Sequence, residues 1–256
     1  MSEKTIYDVF VYCTGKSGST TLETTLQKMK YDVLHTHSKQ HFLFYKKKFY
    51  KDDYGENVNV FDIIDESKKN KDKIYIIDCF RYPMERIISE FFQHIDVGRK
   101  YLPEYKNYTI KELINIFNNK YLCEYAGNYN SLNDILNHYE LKQFEQRKEG
   151  ERYLLKTHEN IVFIKLFFEN ISEWDSILSE IFNKQITIHK DNISNKKPYY
   201  DVYKKFLEEY KVPNKYYLKL IGNEVNLKIF TTNEEREKYL KYWKNRIIEK
   251  NTENNN

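Results

Sequence analysis

One stretch limits what this chain can fold into more than any other: strand-forming residues that give way abruptly to small polar ones and then resume at helical spacing. It spans Val9 to Leu26, V-F-V-Y-C-T-G-K-S-G-S-T-T-L-E-T-T-L. Val9, Phe10, Val11, Tyr12 and Cys13 make a short apolar run of the kind that forms a buried strand. Thr14 to Ser19 are small or polar, and Leu22, Leu26 and Met29 then recur along one helix face. Strand, tight loop and helix in that order make an anion site, because the loop N–H groups and the helix N-terminus point at the same turn. Gly15 and Gly18 let the backbone come close. Ser17, Ser19, Thr20 and Thr21 add hydroxyl donors, and Lys16 adds a full positive charge.

A second stretch has the same logic. Ile74 to Phe80 (I-Y-I-I-D-C-F) is apolar almost throughout, as a strand of a parallel sheet is. Pro83 is placed to begin a helix whose apolar stripe is Met84, Ile87, Ile88, Phe91 and Phe92. Arg81 closes the strand and Ser89 follows two helical turns on, so a guanidinium fork and a hydroxyl can share the oxygens of one phosphate. Arginine is scarce here, 7 residues against 35 lysines, so Arg81 and Arg86 falling in one motif carries weight that a lysine run does not.

Strands are also expected at Tyr31–Thr36 and Ile161–Phe168, and helices around Ile110–Phe117, Leu132–Leu136 and Trp174–Phe182, the last with Ser172 as cap. Val58–Ile64 is apolar but fits neither period clearly. Residues from Val202 onward read as helices, the last over Glu234–Ile248. The expected fold is α/β: a three-layer, P-loop-like arrangement with a central parallel sheet flanked by helices and a helical C-terminal part. Residues 1–248 read as a single domain and 249–256 as a disordered tail. Phosphate-bearing ligands bind such sheets at the carboxyl ends of the strands, where Lys16 and Arg81 both fall.

The net charge of +4 is small and dispersed, which does not argue for nucleic acid. Three cysteines without metal spacing suggest free thiols in a reducing compartment, and no metal site is expected. The start lacks an apolar signal region and no stretch approaches 18 apolar residues, so the expectation is a soluble, cytoplasmic chain with no membrane partner.

Lys16-Ser17-Gly18-Ser19-Thr20 resembles the K-S-G-T-T loop of sulfotransferases, which holds the 5′-phosphosulfate of PAPS (3′-phosphoadenosine 5′-phosphosulfate), although the proline usual before the lysine is Gly15 here. Arg81-x-Pro83 followed by Ser89 is similar to the family's 3′-phosphate motif. Phe167–Phe182 resembles a strand-to-helix stretch of carbohydrate sulfotransferases, with Glu169-Asn170 in place of their E-D pair. Asn192, Ser194, Lys196 and Lys197 fall where those enzymes often have a late polar loop. The resemblance implies PAPS as donor, PAP as product and a hydroxyl of a carbohydrate or other small molecule as acceptor. It implies Lys16, Ser17, Gly18, Ser19, Thr20, Thr21, Arg81 and Ser89 on the nucleotide, with Lys16 stabilising the leaving PAP. A histidine base is then needed. His35 and His37, an H-T-H after the second strand, stand on one face at period two, and some glycan sulfotransferases carry their base there. His158, in a K-T-H like that of cytosolic sulfotransferases, and His94 rank behind them. The alternatives are a P-loop kinase and a catalytically inactive nucleotide- or glycan-binding relative. A Walker A loop ending at Gly15-Lys16-Ser17 would need its first glycine at Phe10, and no Walker B strand is evident.

Overall fold

The computed structural model describes residues 6–49, 58–96, 104–122, 131–189, 197–222 and 225–248. The strands are β1 (Val9–Tyr12), β2 (Val33–Thr36), β3 (Ile74–Phe80), β4 (Tyr153–His158), β5 (Ile161–Phe167), β6 (Val212–Pro213) and β7 (Ile247–Ile248). The helices, in chain order, are α1 (Ser19–Lys28), α2 (Lys39–Phe49), α3 (Val60–Asn70), α4 (Pro83–Asp96), α5 (Ile110–Ile116), α6 (Ser131–His138), α7 (Trp174–Phe182), α8 (Tyr200–Glu209), α9 (Asn214–Tyr217), α10 (Val225–Phe230) and α11 (Asn233–Lys244). The chain divides into two compact units. One is drawn from Met1–Arg81, Tyr129–Glu145 and Glu149–Asn192, the other from Tyr82–Asn128, Gln146–Lys148 and Ile193–Asn256.

The first unit holds a five-stranded sheet in the order β2-β1-β3-β5-β4. β1 runs parallel to β2 and to β3, and β3 runs parallel to β5. β1 and β5 are buried along their whole length, as strands covered on both faces must be. On one face Val9, Val11, Cys13, Ile77, Cys79, Ile164 and Leu166 pack with Leu22 and Leu26 of α1 and Trp174, Ile177 and Leu178 of α7. On the other, Phe163 meets the ring of Tyr139 just beyond α6, and Asp65 of α3 accepts from Tyr139 Oη at 2.6 Å. Helices on both faces of a mostly parallel sheet are the α/β architecture expected.

Three expectations need correction. The sheet is not wholly parallel: β4 pairs antiparallel with β5, from Tyr153↔Leu166 to His158↔Ile161, through a tight turn in which Glu159 takes a φ of 51°. Ser172 does not cap α7. It lies in a 3-10 stretch, Phe168–Glu173, and Glu173 precedes the helix without any side-chain cap. The final helix stops at Lys244, and Ile247–Ile248 pair instead with Val212–Pro213. Val58–Ile64, unassigned from its pattern, begins α3, where Asn59 and Asp62 form a reciprocal capping box. Phe61 stacks on His138, so an apolar residue off the helix's buried stripe still finds a partner.

The second unit contains much of the aromatic content. Phe91 and Phe92 of α4 meet Phe117 and Phe206 at 5.1–5.2 Å between centroids, and Phe206 stacks on Tyr210. Phe92, Phe117, Phe206 and Tyr210 are wholly buried. Such offset and edge-on pairs add about 0.5–1.5 kcal/mol each beyond their buried area. Among the described residues, no helix is long and apolar enough to cross a membrane. The expected C-terminal tail and Cys123 lie outside the described residues.

Candidate functional site

The loop after β1 opens at the carboxyl edge of the sheet, as the strand–loop–helix pattern requires. Gly18, the residue before α1, has a φ of 89°, and a Cβ there would stand 2.6 Å from Cη2 of Trp174, so only glycine fits. Gly15 meets nothing within 4 Å of such a Cβ, so close packing does not explain it. Lys16 also has a left-handed backbone, φ 66°, which costs a lysine about 1–2 kcal/mol. Arg81 Nη1 donates to the Lys16 carbonyl oxygen at 2.8 Å and helps to hold that turn. The Ser17 hydroxyl, wholly buried, donates to Thr14 O at 2.6 Å, so it braces the loop from within. Ser19 and Thr21 are buried and Thr20 is exposed.

The start of α1 is electrostatically bare. Gly18 offers no side-chain cap and the first turn carries no acidic residue. α3, α5 and α11 each begin with a complete capping box. α7 and α8 also lack a side-chain cap but carry Asp175 and Asp201 in their first turns, whereas the first turn of α1 has neither cap nor carboxylate to meet its N–H groups and the positive end of its dipole.

Arg81 stands at the end of β3, next to β1, with its guanidinium 4.4 Å over the Phe168 ring. Ser89 is buried on α4 in the second unit. Arg86 forms an ion pair with Glu90 at 3.2 Å. Asn192, Ser194 and Lys196 lie outside the described residues.

The histidines of H-T-H do share a face. His35 is in register with Val11, and its ring is 4.9 Å from that of His37. His35 Nδ1 is 2.7 Å from Glu23 Oε2, on the second turn of α1, so Nδ1 carries the proton donated to the carboxylate. Its Nε2 is buried with no hydrogen-bond partner among the described residues. His37 Nδ1 is 2.8 Å from the Cys13 carbonyl and must donate, which puts the lone pair of the neutral ring on Nε2. Burial, then His35 and His41, push the His37 imidazole down to about 3. His41, on the first turn of α2, packs tilted against His37 with centroids 4.5 Å apart and is itself pushed down to about 4, first by burial and then by His35. His158 sits where β4 pairs with the start of β5, which is the edge opposite the loop. His94 is 3.0 Å from Tyr121 Oη in the second unit.

Sequence reasoning missed three of these features. Glu23 and His41 become partners only once α1 and α2 fold beside β2, although H-x-H-x-x-x-H was visible as a spacing. Asp78 and Lys165 face each other across β3 and β5, Nζ to Oδ2 2.6 Å, with side chains 2% and 4% exposed. One charge of each sign interrupting two apolar strands was their signal. Burial pushes the Cys13 and Cys79 thiols well above the usual range, so neither is a nucleophile. Comparison with protein-family models, with curated proteins and with solved structures finds no match for this chain.

Proposed function

We propose that this chain is a PAPS-dependent sulfotransferase acting on a hydroxyl group of a carbohydrate or similar small acceptor. The observation that carries the reading is the uncapped start of α1, reached through a K-S-G-S-T loop at the carboxyl edge of a mostly parallel sheet. Its donors suit a phosphosulfate: backbone N–H groups from Ser17 to Thr21, the α1 dipole and the Lys16 ammonium. When bound, PAPS supplies a sulfuryl group that bonds to the acceptor oxygen as the sulfur–oxygen bond to the 5′-phosphate breaks and the phosphate keeps the electron pair.

Lys16 is assigned to the charge that grows on the departing phosphate oxygen. Arg81, a planar fork that donates to Lys16 O beside the loop, is assigned to the 3′-phosphate. Ser89 shares that assignment on the sequence motif alone. The acceptor's proton passes to a histidine. The Glu23 carboxylate favours His35, since it orients the ring with Nε2 left to take the proton once the acceptor reaches that buried atom, whereas His37 is pushed down to about 3 and is a weak base. A magnesium-dependent kinase is disfavoured because Asp78, the carboxylate of β3, is already bound to Lys165.

Calorimetric titration with PAP, AMP and ATP is the test. PAP is expected to bind without magnesium and more tightly than AMP. Arg81→Ala is expected to weaken PAP by about 2–4 kcal/mol, the cost of a phosphate left without its charged partner. Equal affinity for PAP and AMP would remove the 3′-phosphate assignment.

A further inference from the structure

The shape of the loop depends on an aromatic floor that the strand–loop–helix pattern does not contain. Trp174 is wholly buried, and its Nε1 donates to Phe167 O at 3.1 Å, which ties the indole to the end of β5. Phe168, the next residue, stands edge-on to Trp174 with centroids 6.4 Å apart. Both rings lie under Gly18, Trp174 at 2.6 Å and Phe168 at 3.5 Å from where a Cβ would be. The upper face of Phe168 carries the Arg81 guanidinium at 4.4 Å, and Arg81 in turn holds the Lys16 carbonyl at 2.8 Å. One ring therefore touches the glycine that ends the loop and the arginine that grips the lysine within it. A guanidinium held over a ring face by cation–π attraction has less freedom to move, and the direction of its N–H donors is restrained with it.

We propose that Phe168 is a positioning residue for the phosphate loop. It holds Arg81 in place and, through the bond to Lys16 O, the left-handed turn that presents Lys16 and the loop N–H groups to an anion. The consequence for PAPS rests on the sulfotransferase reading; the shaping of the loop does not.

The test uses the full chain with Phe168→Leu, Phe168→Tyr and Arg81→Lys. Hydrogen exchange of the segment from Thr14 to Thr21 is followed by mass spectrometry without ligand, and PAP affinity by calorimetry. Phe168→Leu keeps apolar bulk but loses the flat face. It is expected to speed exchange in the loop about tenfold and to weaken PAP by a similar factor, with unfolding still cooperative. Phe168→Tyr keeps the ring and should match the parent chain. Arg81→Lys keeps the charge without the plane and should loosen the same segment, which provides the answer if Phe168→Leu folds poorly. In an Arg81→Ala background, Phe168→Leu should add less than about twofold, because the two act through one contact. Unchanged loop exchange in Phe168→Leu and Arg81→Lys overturns the proposal, as does a Phe168→Tyr chain that behaves like Phe168→Leu. If exchange responds to Phe168 while the parent chain fails to bind PAP, the positioning role stands and the PAPS reading falls.

Discussion

Lys16 combines two properties that substitutions can separate, a charge at the loop and a left-handed backbone. In the proposed mechanism many donors would meet a bound phosphosulfate in the ground state, so the loss of one ammonium should change affinity little. Charge gathers on the leaving oxygen only in the transition state, and an interaction made there appears in kcat. Lys16→Ala is expected to lower kcat about 10²–10³-fold with PAP affinity nearly kept. Lys16→Arg should not restore it, since a broad fork cannot place a single charge at the same point. Lys16→Gly should be as slow as the alanine variant yet more stable by about 1 kcal/mol, because glycine adopts the positive φ without strain. Steady-state kinetics beside urea unfolding of the three variants checks both parts. A Lys16→Ala chain with normal kcat would end the proposed mechanism.

Between elements, β3 and β5 are joined by the buried Asp78–Lys165 pair as well as by their hydrogen bonds. Removing one partner strands a charge in the core. Asp78→Ala or Lys165→Met alone is expected to cost about 3–5 kcal/mol in urea unfolding, and Asp78→Leu with Lys165→Met to recover most of it. A double variant no more stable than either single one would contradict this. The strands of this sheet differ in how far they could be read beforehand. β3 and β5 are continuous apolar runs and were legible as buried strands; β1 was legible because its run stops at a glycine-bearing loop. β4 was not, because Tyr153–His158 lies on the outer edge with Leu154 alone buried and needs β5 to pair with. Val58–Ile64 hid a helix because its capping box is a matter of two side chains, Asn59 and Asp62, and not of apolar period. Within the site, the loop, Arg81 and the paired histidines were visible in spacing. Phe168 and Trp174 as the loop's neighbours were not, since both reach it from a distant part of the chain, nor was Glu23 as the partner of His35, which needs α1 folded beside β2.

Across the whole molecule, the chain folds into two compact units, each drawn from several stretches of sequence, and first passes from one to the other between Arg81 and Tyr82. Stability as a function of pH belongs to this scale. His37 in the folded chain is held at about 3 and His41 at about 4, against 6.5 ordinarily, so the unfolded chain binds more protons between those values. Their contribution is complete above pH 6.5 and is lost as pH falls through 4 and 3. His37 alone should lower stability by up to about 1.4 kcal/mol per pH unit in that window, and the more exposed His41 by less. Thermal unfolding at pH 7, 6 and 5 should show the decline, with His37→Asn flattening it; identical slopes would refute the assignment. The bare start of α1 has a plainer consequence for anyone handling the protein. On the proposed reading, sulfate and phosphate in a storage buffer would also be acceptors for those N–H groups, and whatever occupied them would favour the folded chain by mass action. Melting curves taken in phosphate and in a bulky zwitterionic buffer would then describe two different equilibria, and only the second would belong to the protein alone.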